Sequence, residues 1–214
     1  MEPPPFPVRK ELDGWLLFWA RLDWDGSPGD WEKRLRRVEA DIRARLGLQG
    51  LSTFPPVAEM RKLFRVAGTD PTRYRPASEA LLRRVLKGDS VPSIHPLVDV
   101  NNCLSLRIAC PCCVMARGSF APPIVFRTGL SGEAYESLRG LFNLEGKPLL
   151  VDASGPLDTP ITGNKRVKVE PWTTAAWLVA YLPAGVVSLQ GAHSALTDLA
   201  DPASGIRATG LGGC

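Results

Sequence analysis

The sequence has few of the residues on which common hydrolytic and metal chemistry depends. Its 214 residues include two histidines and five cysteines, and an odd number of cysteines cannot all pair in disulfides. No apolar run approaches the ~20 residues of a membrane span, and the first residues lack the basic and apolar segments of a secretory signal. We therefore expect a cytoplasmic protein with reduced thiols and no membrane partner.

Several enzyme motifs are also missing. Residues 140–147 resemble a phosphate-binding loop, but the spacing is wrong and Pro148 stands where a Ser or Thr binds magnesium. There is no G-x-S-x-G elbow. Cys110 and Cys113 have the C-x-x-C spacing of zinc and redox sites. Zinc needs about four ligands and no second pair follows, so we expect no metal and no cofactor and favour ordinary buried thiols over a redox pair.

The pattern of apolar residues predicts an α+β protein. Helical spacing predicts helices over 31–46, 55–67, 76–87 and 96–106, after a buried strand over 15–22. Strand patterns follow over 124–127, 148–152, 167–169 and 172–182, with a last helix over 187–199. We expect one domain over 1–200 and a flexible, Gly- and Ala-rich tail over 201–214.

Positive charge is concentrated locally, although the net charge is only +4. Arg73, Arg75, Arg83 and Arg84 lie close together in the centre of the sequence. A basic stretch of this density can follow the phosphates of a nucleic acid. A solvated helix face is the alternative interpretation.

Four short motifs occur in a fixed order in the central part of the chain. They are V-D-V-N-N (98–102), P-C-C-V (111–114), G-E (132–133) and L-L-V-D (149–152). They resemble V-D-V-T-N, P-M-H-A, Gly-Glu and L-V-I-x-D of the B3/B4 domain, the editing module of the phenylalanyl-tRNA synthetase β subunit. Residues 68–84 resemble a longer run shared by free-standing B3/B4 proteins. The resemblance is strongest over 50–185.

The resemblance implies a fold, an activity and a set of site residues. The fold is a helical N-terminal half packed on a mixed, barrel-like β core. In the synthetase, the domain hydrolyses tyrosine wrongly esterified to the phenylalanine tRNA. A free-standing member is thus expected to be a trans-acting deacylase that binds tRNA and an aminoacyl group. The residues implied for catalysis are Glu133, Asn102 and Cys113. Those implied for substrate binding are Asn101, Gly132, Val151 and Ala153. Those expected to bind RNA are Arg73, Arg75, Arg83 and Arg84.

One departure from the family pattern concerns the chemistry directly. The histidine of the synthetase motif falls on Cys113, and the aspartate after it falls on Ala116. A thiol does not replace imidazole as a proton shuttle at neutral pH. Two alternatives to the deacylase therefore stay open. One is a non-catalytic module that binds RNA, tRNA or an amino acid, and the other is redox control through Cys110 and Cys113.

Overall fold

A computed structural model describes residues 6–214, which form five α-helices and ten β-strands. The helices are α1 (Trp31–Arg45), α2 (Pro55–Val66), α3 (Ala77–Leu86), α4 (Pro96–Ile108) and α5 (Leu189–Leu199). The strands are β1 (Val8–Lys10), β2 (Trp15–Trp24), β3 (Cys112–Ala116), β4 (Ile124–Thr128), β5 (Ala134–Ser137), β6 (Gly140–Asn143), β7 (Pro148–Asp152), β8 (Gly155–Asp158), β9 (Ala175–Pro183) and β10 (Ile206–Gly213). The predicted α+β class is confirmed.

Two four-stranded sheets and one hairpin contain these strands. The first sheet has the order β10-β2-β9-β3 and is antiparallel. The second has the order β1-β4-β7-β8, in which only the pair β1 and β4 is parallel. Strands β5 and β6 form the hairpin. Within the described residues both sheets are open, so the strands do not form the barrel-like core that we expected.

The first sheet separates two hydrophobic cores. Because side chains alternate along a strand, Phe18 and Leu22 of β2 face the helices, whereas Leu17 and Trp19 face the second sheet. We call these two regions the helix-side core and the inter-sheet core. Phe126 of β4 closes the inter-sheet core from the second sheet, with its ring 5.3 Å from that of Trp15. The first sheet is therefore buried on both faces.

Two segments differ from the sequence prediction. The strand predicted over 167–169 was wrong, because Lys165–Val167 is a 3-10 turn. The side chain of Asn164 accepts the N–H of Arg166 at 2.9 Å and starts this turn. Only Val167 of the turn is buried, so the alternation of a half-buried strand is absent. The long predicted strand over 172–182 begins at Ala175 and is β9.

The C-terminal segment completes the first sheet. Residues 206–213, within the predicted flexible tail, form β10, which pairs antiparallel with β2 and has a register shift between Thr209 and Gly212. Glycine is unfavourable in strands, so composition did not predict this strand. Gly213 has a packing reason, since a Cβ there would lie 2.9 Å from the carbonyl oxygen of Leu17. Close approach of the two backbones requires glycine at this position.

Candidate functional site

Cys113, at the position of the synthetase histidine, faces a buried carboxyl group in the inter-sheet core. Cys113 lies on β3, where it pairs with Val179 of β9 and packs into that core. Asp158 ends β8 on the opposite sheet and is 0% exposed. The hydroxyl of Tyr181 donates to Asp158 Oδ2 at 2.5 Å. The two sheets thus bring a thiol, a phenol and a carboxyl group together.

The environment of Asp158 makes its carboxyl group unusually easy to protonate. Burial raises its pKa to about 7, even though the hydrogen bond from Tyr181 and the nearby Cys113 thiol act in the opposite direction. The best-aligned acceptor for the Cys113 thiol is the carbonyl oxygen of Val114 at 3.8 Å. Asp158 Oδ1 itself accepts no aligned hydrogen bond from the described residues. Asp158 can therefore both take up and release a proton near neutral pH.

Further hydroxyl groups lie beside this carboxyl group. The hydroxyl of Tyr135 on β5 is 3.2 Å from Thr159 Oγ1 and donates to the carbonyl oxygen of Thr162 at 2.5 Å. The charge of Asp158 contributes to raising the pKa of Tyr135, although burial is the larger cause. Tyr135 therefore stays a neutral hydrogen-bonding group that helps to position residues 159–162.

The cysteines lie in surroundings that suppress their reactivity. Burial raises the pKa of Cys110, Cys112 and Cys113, so these thiols stay protonated at neutral pH and are poor nucleophiles. All five cysteines are free. Cys110 packs in the helix-side core and Cys113 in the inter-sheet core. The geometry thus favours the buried-thiol interpretation of the C-x-x-C pair.

Glu133 makes a closed ion pair on the other face of the second sheet. Its carboxylate accepts hydrogen bonds from two nitrogens of Arg127 at 2.6 and 2.8 Å and from the N–H of Leu130 at 2.6 Å. The hydrogen bond from Arg127 is the main cause that lowers the pKa of Glu133. Arg127 follows Phe126 on β4 and points away from the inter-sheet core by strand alternation. Glu133 and Cys113 are therefore separated by the second sheet.

The other residues implied near Glu133 lie on or beside the second sheet. Val151 of β7 packs on the same outer face, in a small cluster with Tyr135 and Leu149. Gly132 has φ +80° in the turn before β5, a conformation that favours glycine. Ala153 is exposed after β7, and its N–H donates to the carbonyl oxygen of Ala121 at 3.0 Å. Val151 and Gly132 therefore lie on the side of the second sheet that carries Glu133, and Ala153 lies at the end of β7.

The two asparagines lie on α4, next to β3. His95 caps this helix, since its Nδ1 accepts the N–H of Leu97 at 3.2 Å. Asn101 is buried and donates through Nδ2 to the carbonyl oxygen of Cys112 at 3.4 Å, while its Oδ1 has no partner among the described residues. Asn102 is half-buried. Helix α4 therefore holds the asparagine pair beside the strand that carries Cys113.

Two of the four predicted RNA-binding arginines hold a buried carboxylate. Arg75 and Arg83 approach Glu79 at 3.5 and 2.9 Å, and Arg61 from α2 approaches it at 3.1 Å. Glu79 is fully buried. The three guanidinium groups therefore connect α2, α3 and the loop before α3, and together they carry two positive charges in excess of the glutamate.

The remaining two arginines are exposed. Arg84 donates through Nε to the carbonyl oxygen of Ser90 at 2.7 Å. The guanidinium of Arg73 lies 5.2 Å from the centre of the Tyr74 ring, and the ammonium of Lys147 lies 4.1 Å from the same ring. Arg73 and Arg84 thus present their charge to solvent more freely than Arg75 and Arg83 do.

Asp158 is the residue that the sequence motifs missed. It lies in G-P-L-D-T-P-I (155–161), where a single carboxylate interrupts a short apolar stretch between prolines. A carboxylate within a buried strand is rarely solvated and needs hydrogen-bonding partners, and that signal could have marked it. Its partner Tyr181 could not be identified from sequence, because only the pairing of sheets brings the two together.

Neither a group of metal ligands nor a membrane-spanning helix occurs among the described residues. Among residues 6–214, no three His, Cys, Asp or Glu side chains group as metal ligands. None of the helices in this range has the length and apolar character needed to cross a bilayer.

Two comparisons with known proteins found a match. A solved structure similar to this chain is an N-terminal fragment of the phenylalanyl-tRNA synthetase β subunit from Pyrococcus horikoshii, with 15% identity and a TM-score of 0.46. The match covers 97% of this chain and 51% of that fragment, so the chain spans about half the fragment's length. No curated protein matches the sequence. The B3/4 domain family matches residues 59–200, a range that includes every candidate residue named above, and the chain belongs to this family.

Proposed function

We propose that the protein hydrolyses the ester that links a wrongly attached amino acid to tRNA. The observation that carries this proposal is the buried carboxyl group of Asp158, which contacts Tyr181 at 2.5 Å through Oδ2 and has an Oδ1 without a partner among the described residues, across the inter-sheet core from the strand that carries Cys113. By resemblance, Cys113 takes the place of the editing domain's histidine. A protonatable carboxyl group at this place supplies the proton acceptor that a thiol cannot supply. In this proposal the proton acceptor is Asp158 on β8, whereas the histidine of the family pattern falls on Cys113 of β3.

The proposed reaction needs no covalent intermediate. A water oxygen attacks the ester carbonyl carbon while Asp158 takes one of its protons through Oδ1, the oxygen with no aligned partner. The bond to the ribose oxygen then breaks, and Asp158 returns the proton to that oxygen. Tyr181 keeps the carboxyl group in place through Oδ2. A proton acceptor with a pKa near 7 is suited to this transfer at neutral pH.

The residues implied by the family resemblance have supporting roles in this proposal. Asn102, with Asn101 beside it on α4, orients the ester or the attacking water. Gly132 and Val151 lie with Glu133 on the outer face of the second sheet, so their proposed role is to hold the aminoacyl part of the substrate, and they take no part in the proton transfer at Asp158. Reading of the aminoacyl side chain by Glu133 requires its ion pair with Arg127 to open. Asp158 has no ion pair among the described residues that must break first, and we assign it the central role; because it is 0% exposed, the ester and the water reach it only when the two sheets part locally.

The tRNA is the proposed macromolecular partner. Arg73 and Arg84 contact its phosphates, since their charge faces solvent. Arg75 and Arg83 contribute the excess positive charge around Glu79. This division makes the binding electrostatic and dependent on salt.

A deacylation screen tests the proposal. Protein is mixed with a panel of correctly and wrongly charged tRNAs, tyrosine on the phenylalanine tRNA among them, and loss of the ester is followed over time. We expect faster loss of one or a few wrongly charged species and a drop of about 100-fold or more in Asp158→Asn. Glu133→Gln is the matched carboxylate control. No loss from any species above the spontaneous rate would overturn the proposal.

A non-catalytic module is the second candidate. The observation that favours it is the closed pair of Glu133 and Arg127, which leaves the implied substrate-reading carboxylate already occupied. In this case the protein binds tRNA or an amino acid and leaves esters intact. Binding that weakens steeply with salt indicates phosphate contacts, whereas binding indifferent to salt indicates a small neutral ligand.

A further inference from the structure

An open groove with an exposed tryptophan lies where β3 ends and β9 begins. The groove has a volume of about 670 Å³, and its lining includes Arg117, Lys165, Lys168 and Trp172. Trp172 is 77% exposed, whereas Trp19 is fully buried. An indole ring exposed to this extent offers a flat apolar face on which another ring can stack.

The charge around Trp172 is mainly positive. Four cations and one carboxylate line the groove: Arg117, Lys165, Arg166, Lys168 and Glu170. Lys165 and Lys168 form exposed ion pairs with Glu136 at 3.0 Å and Glu170 at 2.9 Å. Exposed pairs of this kind are weak, so a phosphate can displace them.

The two arginines that line the groove differ in whether they are free to bind a ligand. Arg166 is occupied, because it holds the buried carboxylate of Asp152 at 3.0 Å and 3.1 Å. Arg117 is exposed, and its side chain forms no ion pair within residues 6–214. Arg117 therefore offers a free positive charge beside the Trp172 ring.

We propose that this groove binds the single-stranded 3′ end of an RNA, with a base stacked on Trp172 and phosphates held by Arg117 and Lys168. An aromatic platform beside cations is the combination by which proteins bind single strands. Paired bases keep their faces covered inside the duplex, so stacking on Trp172 selects an unpaired end. This inference rests on the proposed hydrolysis of aminoacyl-tRNA, because the aminoacyl ester is at the 3′ end of the tRNA.

Two chain segments connect the groove with the Asp158 site. Ala116, in the groove lining, is three residues beyond Cys113 on β3, a separation of about 10 Å. Residues 159–168 lead from Asp158 directly to the groove. Two or three stacked nucleotides, at ~3.4 Å each, span the same distance. The edge of the groove at Ala116 therefore lies within about three nucleotides of Cys113 along β3.

Stacking is tested by fluorescence anisotropy with a labelled single-stranded RNA that ends in C-C-A and a blunt RNA hairpin of equal length. We expect Trp172→Ala to weaken binding of the single strand by about 5- to 150-fold, and Trp172→Phe to retain most of the affinity. Leu141→Ala is the matched control, since Leu141 is 79% exposed on β6, outside the groove. It should leave the affinity unchanged.

Phosphate contact is tested by the salt dependence of the same binding. Arg117→Ala should reduce the slope of log affinity against log salt by about one. Arg9→Ala is the control, because the Arg9 side chain is exposed on β1 and pairs only with Glu11 among the described residues. Its slope should equal that of the wild type.

The result that overturns the inference is equal binding by wild type and Trp172→Ala, or a hairpin bound as tightly as the single strand. Deacylation is measured separately on charged tRNA. Stacking on Trp172 without ester loss would support the groove and reject the proposed hydrolase. Ester loss with an unchanged KM in Trp172→Ala would support the hydrolase and reject the groove.

Discussion

Glu133 and Asp158 are two carboxylic acids whose surroundings give them opposite properties. Arg127 and the N–H of Leu130 hold Glu133, and the pKa of Glu133 is lowered. Asp158 has no cationic partner within the described chain, and burial raises its pKa to about 7. Glu133 is thus a fixed anion, and Asp158 changes its protonation near neutral pH. Environments that separate two pKa values in this way are how proteins assign acid and base roles.

The position of a carboxylic acid in a sequence motif and its chemical role are therefore distinct properties in this protein. Glu133 lies in a recognisable Gly-Glu motif, yet its hydrogen bonds are used within the fold. Asp158 lies in no motif, yet it occupies the contact with Cys113. The role of a carboxyl group follows from the groups that surround it, and those are set by how the two sheets pack.

The largest expected effect is on the pH dependence of deacylation. Because protonated Asp158 cannot accept a proton from water, the rate should fall about 10-fold per pH unit below about 7. Glu133→Gln should keep this profile, and Asp158→Asn should flatten it. Single-turnover ester hydrolysis, corrected for spontaneous loss at each pH, measures the effect. A profile that is lost in Glu133→Gln and kept in Asp158→Asn would reverse the comparison.

The next effect is on the pH dependence of stability. An aspartate titrates near 3.8 in the unfolded chain and Asp158 titrates near 7 in the folded protein, so between these values the folded state binds more protons. Its contribution to the free energy of unfolding must then fall as pH rises, by at most ~1.4 kcal/mol per pH unit. Asp158→Asn removes this fall. Urea unfolding of both proteins at several pH values measures the difference, and parallel curves would contradict the prediction.

A smaller and opposite effect is expected for Glu133. Its folded pKa is lowered, so its contribution to stability is present above the unfolded pKa of about 4.5 and is lost as pH falls through the folded value. Glu133→Gln should destabilise the protein by about 1–3 kcal/mol at neutral pH, since a charged hydrogen-bonded pair is broken. Urea unfolding at neutral and acidic pH tests this. A loss that is equal at both pH values would show that the ion pair is not its cause.

The fold could be predicted from sequence where a single segment contains the signal. The helix predicted over 55–67 corresponds to α2 (Pro55–Val66), because one apolar face repeats within the segment. Strand β10 could not be predicted, because it depends on the exposed edge of β2, far away in the sequence. Short strands such as β3 were missed for the same reason, since their pairing partners decide them more than their own residues do.

In the candidate site too, residues within local motifs could be predicted, whereas contacts between distant segments could not. Family motifs led to Cys113 and Asn102 through short sequence matches. They could not lead to the contact of Cys113 with Asp158 and Tyr181, which joins β3, β8 and β9 across two sheets. The ion pair between Arg127 and Glu133 was not predicted either, although the two residues are only six positions apart.

The smallest effect is expected at Cys113 itself. Desolvation raises the pKa of its half-buried thiol, so almost no thiolate exists at neutral pH, and a protonated thiol is a poor nucleophile. Cys113→Ser keeps a donor next to Asp158 and should change the deacylation rate by less than about 10-fold, below the contribution of a general acid or base. Single-turnover hydrolysis measures this change, with Cys214→Ser as the control for a general effect of thiol removal. A loss of several orders of magnitude in Cys113→Ser alone would make Cys113 the nucleophile, and the contrast between Glu133 and Asp158 would then no longer decide which residue carries the chemistry.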